Sequence, residues 1–64
     1  MLPTQRRQAI LAEVRQHSAV AADDLAREFD VSVETIRRDL RDLQQKGLLD
    51  RVYGGATHPA GPNF

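Results

Sequence analysis

Apolar residues in this chain fall into three stretches of helical spacing followed by one short alternating stretch. In the first, Ile10 and Val14 recur four apart with Leu11 beside them, which predicts a helix with one inner face. Pro3 suits its first turn, where a missing N–H costs nothing, and the stretch runs to about His17. The second stretch predicts a helix from about Ala22 to Phe29, with Leu25, Ala26 and Phe29 inside. Asp23 and Asp24 fall in its first turn, near the positive end of the helix dipole, while Ala21 at the N-cap position has no side chain to cap with. The third carries Val33, Ile36, Leu40 and Leu43 at helical spacing, opens on Ser32 as N-cap, and closes on Lys46 and Gly47 as a C-terminal signal.

The connections are short. Ser18-Ala19-Val20 predicts a connector or a one-bond strand. Asp30-Val31 predicts a tight turn, with Asp30 in the left-handed region that Asp enters more readily than most residues. Leu48 to Tyr53 alternates as a strand, with Leu49, Arg51 and Tyr53 on one side and Asp50 and Val52 on the other. Gly54-Gly55 is a two-residue hairpin signal, and Ala56-Thr57 leaves a stub of return strand. A helix, a tight turn and a second helix opening at a capped Ser is the helix-turn-helix outline. With the hairpin added, the expected fold is mainly α with a small β-hairpin, a winged helix-turn-helix of three helices plus wing over residues 1–57. Residues 58–64 hold two prolines and a glycine and have linker composition.

The third helix carries the chemistry. Arg38 and Arg41 point away from its apolar stripe, Arg37 lies on the flank, and Thr35 and Glu34 stand near the exposed start. Arg can bond guanine O6 and N7 with two donors, and Thr can touch a base edge or a thymine methyl, so this face suits a DNA major groove. The plainer alternative is a solvated face held by Glu34–Arg38 and Arg38–Asp42 pairs. Asp39 lies beside the apolar stripe, where it would tie the third helix to Arg6 or Arg51.

Composition restricts the other classes. At 64 residues the chain forms one small domain with a thin core and no room for a closed catalytic cleft. Nine Lys plus Arg balance nine Asp plus Glu, and zero net charge counts against a nucleic-acid binder. The charge is segregated, however: Asp23, Asp24, Glu28 and Asp30 crowd one segment against Arg27 alone. The absence of cysteine excludes disulfides, thiolate chemistry and Cys-ligated zinc. No apolar run approaches a membrane span and the N-terminus lacks a signal-peptide core, so a cytoplasmic protein is expected. Glu13 and His17 are four apart, but no further ligands follow, and a surface pair near the helix C-terminus is expected instead of a metal site. His17 and His58 lie far apart with no nucleophile placed to use either. Neither an enzyme nor a cofactor is expected.

The residues go beyond a fold outline. Arg6, Ile10 and Val14, then Ser32, then Thr35-Ile36-Arg37-Arg38-Asp39-Leu40, resemble the signature of the DeoR family of bacterial transcriptional regulators. Gly47-Leu48-Leu49 and Arg51-Val52-Tyr53-Gly54-Gly55-Ala56 resemble that family's wing, so the likeness runs from about Leu2 to Ala56. It departs at Asp30, where the family commonly has Gly, at Ala21, where a Ser or Thr cap is usual, and at Tyr53, where His is frequent. The resemblance implies sequence-specific binding of a double-stranded DNA operator, as part of a repressor of a sugar or carbohydrate operon. It implies that residues 58–64 start an interdomain linker, and that a sugar-phosphate effector acts only through a further C-terminal domain. The chain alone is then expected to be monomeric, and the longer protein a homo-oligomer.

The expected DNA contacts are Arg37, Arg38, Thr35, Ser32 and Arg41 on the third helix, Arg6 and Arg7 on the first, and Tyr53, Gly54 and Gly55 on the wing. Which of Arg37 and Arg38 reaches a base and which a phosphate is open at this level. Ser32 is foremost a cap, and Arg6 and Arg7 divide between phosphate positioning and the tie to Asp39. A winged-helix protein-interaction module is the alternative function. It calls for an exposed apolar patch, and on the wing the sequence offers Tyr53.

Overall fold

The computed structural model describes residues 1–59. Three helices and three short strands follow one another as α1 (Pro3–His17), β1 (Ala19–Ala21), α2 (Ala22–Phe29), α3 (Val33–Gln45), β2 (Asp50–Val52) and β3 (Gly55–Thr57). This is the expected winged helix-turn-helix, with a larger wing. Of the connector and the one-bond strand expected at Ser18-Ala19-Val20, the strand is formed and is longer than one bond: β1 pairs antiparallel with β3 over Ala19–Ala21, giving a three-stranded sheet of order β1-β3-β2. The ladder runs one residue past β3, because His58 N–H donates to the Ser18 carbonyl at 3.1 Å. His58 therefore still belongs to the folded unit. Residues 60–64 of the expected linker lie outside the described residues.

The core is aliphatic, formed by Ile10, Leu11 and Val14 of α1, Ala22, Leu25 and Ala26 of α2, Ile36, Leu40 and Leu43 of α3, and Leu49 and Ala56 from the wing. Each helix contributes the residues its periodicity picked out, except Phe29 and Val33, which are only partly buried at the edge. α2 and α3 both end in Schellman closures, in which the residue past the left-handed cap reaches back to a carbonyl of the last turn. After α2, Asp30 is left-handed (φ 56°, ψ 49°) and Val31 N–H donates to the Ala26 carbonyl at 3.0 Å. After α3, Gly47 takes φ 75° and Leu48 N–H donates to the Leu43 carbonyl at 3.0 Å. Ser32 caps α3, its hydroxyl accepting from Thr35 N–H at 3.1 Å. Ala21 provides no side-chain cap for α2. One orphan donor there is met from the wing, since Ala22 N–H donates to the Gly54 carbonyl at 2.8 Å.

The hairpin differs from the expected one. Val52 pairs with Gly55, so the two loop residues are Tyr53 and Gly54, not Gly54 and Gly55. The strand is also shorter than Leu48–Tyr53: Leu49 enters the core ahead of it and Tyr53 leaves it. The two glycines serve different needs. Gly54 takes φ 79° at the second loop position with open space around it. Gly55 is in β3, where an added Cβ would lie 1.9 Å from the Val20 carbonyl oxygen. Register then sorts the sheet's faces. Val20, Ala56 and Arg51 stand across from one another on the face toward the helices, and Ala21, Gly55 and Val52 on the other.

Gly55→Ala is expected to destabilise the domain more than Gly54→Ala. The latter costs about 1–2 kcal/mol for a left-handed Ala, whereas the former forces β1 and β3 apart. Urea denaturation of the two variants checks the order.

Candidate nucleic-acid interface

Asp39 decides which way α3 faces. It lies at the border of the helix's apolar stripe and is 2% exposed. Arg6 of α1 grips it with two nitrogens, Nε to one carboxylate oxygen and a terminal nitrogen to the other at 3.1 Å. Arg7 adds a longer Nε contact at 3.4 Å. The hydrogen bond to Asp39 raises the Arg6 pKa above its ordinary value and outweighs burial, which acts the other way. Of the two partners expected for Asp39, Arg6 is therefore the one used. Arg6 is the more enclosed of the two arginines, its side chain 11% exposed against 32% for Arg7. Arg6's guanidinium is thus engaged inside the fold, in the structural half of its expected role, and Arg7 is the α1 arginine left more open.

With that flank fixed, Arg37, Arg38 and Arg41 are exposed. None forms an ion pair with a described residue. The expected Glu34–Arg38 and Arg38–Asp42 pairs do not close to within 4.0 Å. Exposed pairs of long side chains gain little over hydration, so their absence leaves the guanidiniums to solvent. At the start of α3 the Ser32 and Thr35 hydroxyls lie 3.0 Å apart, and Thr35 is half-buried. On the wing, Tyr53 is fully exposed and Gly54 sits beside it at the loop. Gly55, expected among the contact residues, is buried and packs closely between β1 and β3.

α3 and the hairpin enclose a cleft of about 260 Å³ lined by Ala22, Arg37, Leu40, Arg51, Val52, Tyr53, Gly54 and Gly55. It brings Arg37 together with Tyr53 and Gly54. It also brings in Arg51, which sequence reasoning had assigned only to Asp39. Alternation already put Arg51 on the Leu49 side; what the sequence lacked was its pairing with Ala56 and the outer position of β2 in a three-stranded sheet. The wing also exposes Val52, half accessible, beside Tyr53, so its apolar surface is larger than Tyr53 alone.

A second group lies on the opposite side. Glu13 and His17 line a cavity with Asp24 between α1, β1 and α2. Instead of forming an ion pair with His17, Glu13 meets the carboxyl of Glu28. The Glu28 hydrogen bond, then burial, then Glu28's charge raise the Glu13 pKa above its ordinary 4.5, and His17 opposes this. Among the described residues no group of three or more His, Cys, Asp or Glu could hold a metal ion. No helix of the described residues is long and apolar enough to cross a membrane.

The model of the DeoR-like helix-turn-helix domain matches residues 6–60. The chain belongs to this family. The DeoR-like domain is 42% identical over 60 residues to the glycerol-3-phosphate regulon repressor of Escherichia coli K12, covering 94% of this chain and 24% of the repressor. It is 51% identical over 52 residues to the L-fucose operon activator of Haemophilus influenzae, covering 81% of this chain and 21% of the activator. It is 41% identical over 57 residues to the uncharacterised transcriptional regulator FruR of Bacillus subtilis, covering 89% of this chain and 23% of the regulator. The chain thus spans about a quarter of the length of these curated relatives. No solved structure matches it significantly. It is a DNA-binding domain of the kind found in transcription regulators.

Two outcomes follow for the DeoR-like domain. Asp39→Ala strands the Arg6 guanidinium in a partly buried site and is expected to cost about 2–4 kcal/mol. Asp39→Asn, which keeps an acceptor, should cost less; chemical denaturation measures both. The raised Glu13 pKa means the folded chain holds that proton more tightly than the unfolded one. The associated stability is present below the unfolded carboxyl's ordinary value and is lost as pH rises through the folded value. Glu13→Gln is therefore expected to be more stable than the parent at pH 7, with the gap closing near pH ~4. Thermal denaturation across that range checks it.

Proposed function

We propose that this domain reads the operator of a carbohydrate operon for a repressor, placing α3 in the major groove and the hairpin over the flanking backbone. The observation that carries this reading is the free set of arginines on α3, Arg37, Arg38 and Arg41, on a helix whose other flank is anchored through Asp39. In this reading Arg38 and Thr35 approach base edges. Arg41 and Arg7 take backbone phosphates, Tyr53 and Gly54 approach the sugar-phosphate backbone or minor groove, and Ser32 chiefly holds the start of the helix. The match to a named regulon repressor over 94% of this chain supports repression, and the match to an L-fucose operon regulator supports a carbohydrate setting.

The remaining assignments follow the same reading. The domain is non-enzymatic and acts in the cytoplasm. The folded unit through His58 is the DNA-reading domain, and the linker expected from residue 58 begins after it. A sugar phosphate acts through the part of the longer protein outside this chain. The chain alone is monomeric, and the longer protein pairs two such domains on a two-fold operator. Exposure of Val52 beside Tyr53 favours a second reading, a protein-interaction module with the wing as its contact surface.

Fluorescence anisotropy separates the two. The probe is a duplex selected by the chain from a randomised pool. Affinity should fall with salt along a log–log slope corresponding to roughly three to five phosphates. Arg38→Ala should lose about 1–3 kcal/mol on the selected duplex and relax preference at one base pair. Affinity independent of salt would remove the DNA-reading assignment in favour of the protein-interaction module.

A further inference from the structure

The cleft between α3 and the hairpin holds two arginines, Arg37 from the helix and Arg51 from β2, and no carboxylate lines it. Both side chains are exposed, and neither has an ion pair or hydrogen bond among the described residues. Like charges facing one small space are unfavourable unless an anion enters it. The floor is apolar, Leu40 and Ala22, so a bound anion would meet both guanidiniums with little screening by water. The geometry of each arginine is fixed independently. Arg37 is two residues before Asp39, about 160° around the helix, so anchoring Asp39 to α1 turns Arg37 toward the wing. Arg51 pairs with Ala56 on the helix-facing side of the sheet, but β2 is an outer strand. Its side chain consequently runs past the core into the cleft.

We propose that Arg37 and Arg51 together clamp one phosphodiester of the DNA backbone. Arg37 is then a positioning residue, and base reading on α3 falls to Arg38 and Thr35. This rests on the DNA-reading assignment above. A helix in the major groove and a hairpin over the adjacent minor groove lie on either side of one sugar-phosphate strand. That strand has to cross the gap between them, and the gap is this cleft. Guanidinium is suited to the task because its planar fork matches phosphate oxygens in pairs.

The test uses the 64-residue chain, the selected duplex and a random-sequence duplex of equal length. Arg37→Gln and Arg51→Gln are expected to weaken both duplexes by the same factor, about 3–10-fold, while Arg38→Ala weakens the selected duplex chiefly. The double variant should lower the salt slope by about 0.9, the value for one phosphate, and not by twice that. A scan of single methylphosphonate linkages through the selected duplex locates the contact. Among the linkages that weaken the parent, one should be shared by the two arginines: at it each single variant should lose less than the parent does, and the double variant nothing further. Separate linkages for the two arginines, no effect of Arg51→Gln, or a base-pair preference lost with Arg37→Gln alone would each overturn the clamp. If Arg38→Ala behaves as stated while these do not, the clamp fails and the DNA reading stands. If the parent shows no salt-dependent binding to either duplex, both fail.

Discussion

Asp39 is a carboxylate placed where carboxylates are costly, at the edge of an aliphatic core, and it persists because Arg6 and Arg7 come to it from another helix. That contact fixes the rotation of α3 about its own axis. Aliphatic packing alone would hold Ile36, Leu40 and Leu43 inward but tolerates small rotations, since one aliphatic face slides over another at little cost. A two-nitrogen grip on one flank does not. Once Asp39 faces α1, residues at one and two positions before it and two after it are turned outward, and these are Arg38, Arg37 and Arg41. The orientation of the basic face is thus set by an acidic residue inside the same sequence string.

The wing is positioned by a second set of constraints that owes little to side chains. Gly55 lets β3 lie against β1 more closely than any other residue would allow. The Gly54 carbonyl then accepts from Ala22 at the start of α2, which lacks a capping side chain. The hairpin tip and the second helix share one hydrogen bond that each needs. Because α2 packs on α3, the wing is held at a set distance from the arginine face, and the cleft between them is a product of backbone contacts.

The helices, their inner residues, both Schellman turns and the Ser32 cap were all legible in the sequence, because each follows from spacing or from one residue's local chemistry. The wing was legible only as a hairpin. Its loop was misplaced by one residue because Gly54-Gly55 satisfies a local turn rule, whereas Gly55 is required by a strand far back in the chain that consists of Ala19, Val20 and Ala21. Three small residues carry no periodic signal, so β1 was legible only as a connector or one-bond strand, and its pairing with β3, the reason for Gly55, was not. Arg51 faces the Leu49 side in either register; its place beside Arg37 depends on β2 being the outer strand of the sheet. Side-chain pairing was legible for Asp39, whose position beside the apolar stripe demanded a cation. It was not legible for Glu13, whose neighbour Glu28 comes from another helix and has the same charge.

Zero net charge is compatible with this reading because the charges are not averaged over the surface. Three of the nine cations are used within the fold, Arg6 and Arg7 on Asp39 and Arg27 on Asp24. Glu13 and Glu28 sit together between α1 and α2. Asp24, paired with Arg27, lines the space on the far side of the hairpin from Arg37. At physiological ionic strength fields decay over about 8 Å, so a partner lying against α3 and the wing meets Arg37, Arg38, Arg41 and Arg51 before it meets most of the acidic residues. Such a surface has little long-range attraction for DNA and a strong short-range one. Association is then governed by fit at the face and not by the charge of the whole chain, and a domain of this kind discriminates against non-specific duplex better than a uniformly basic one.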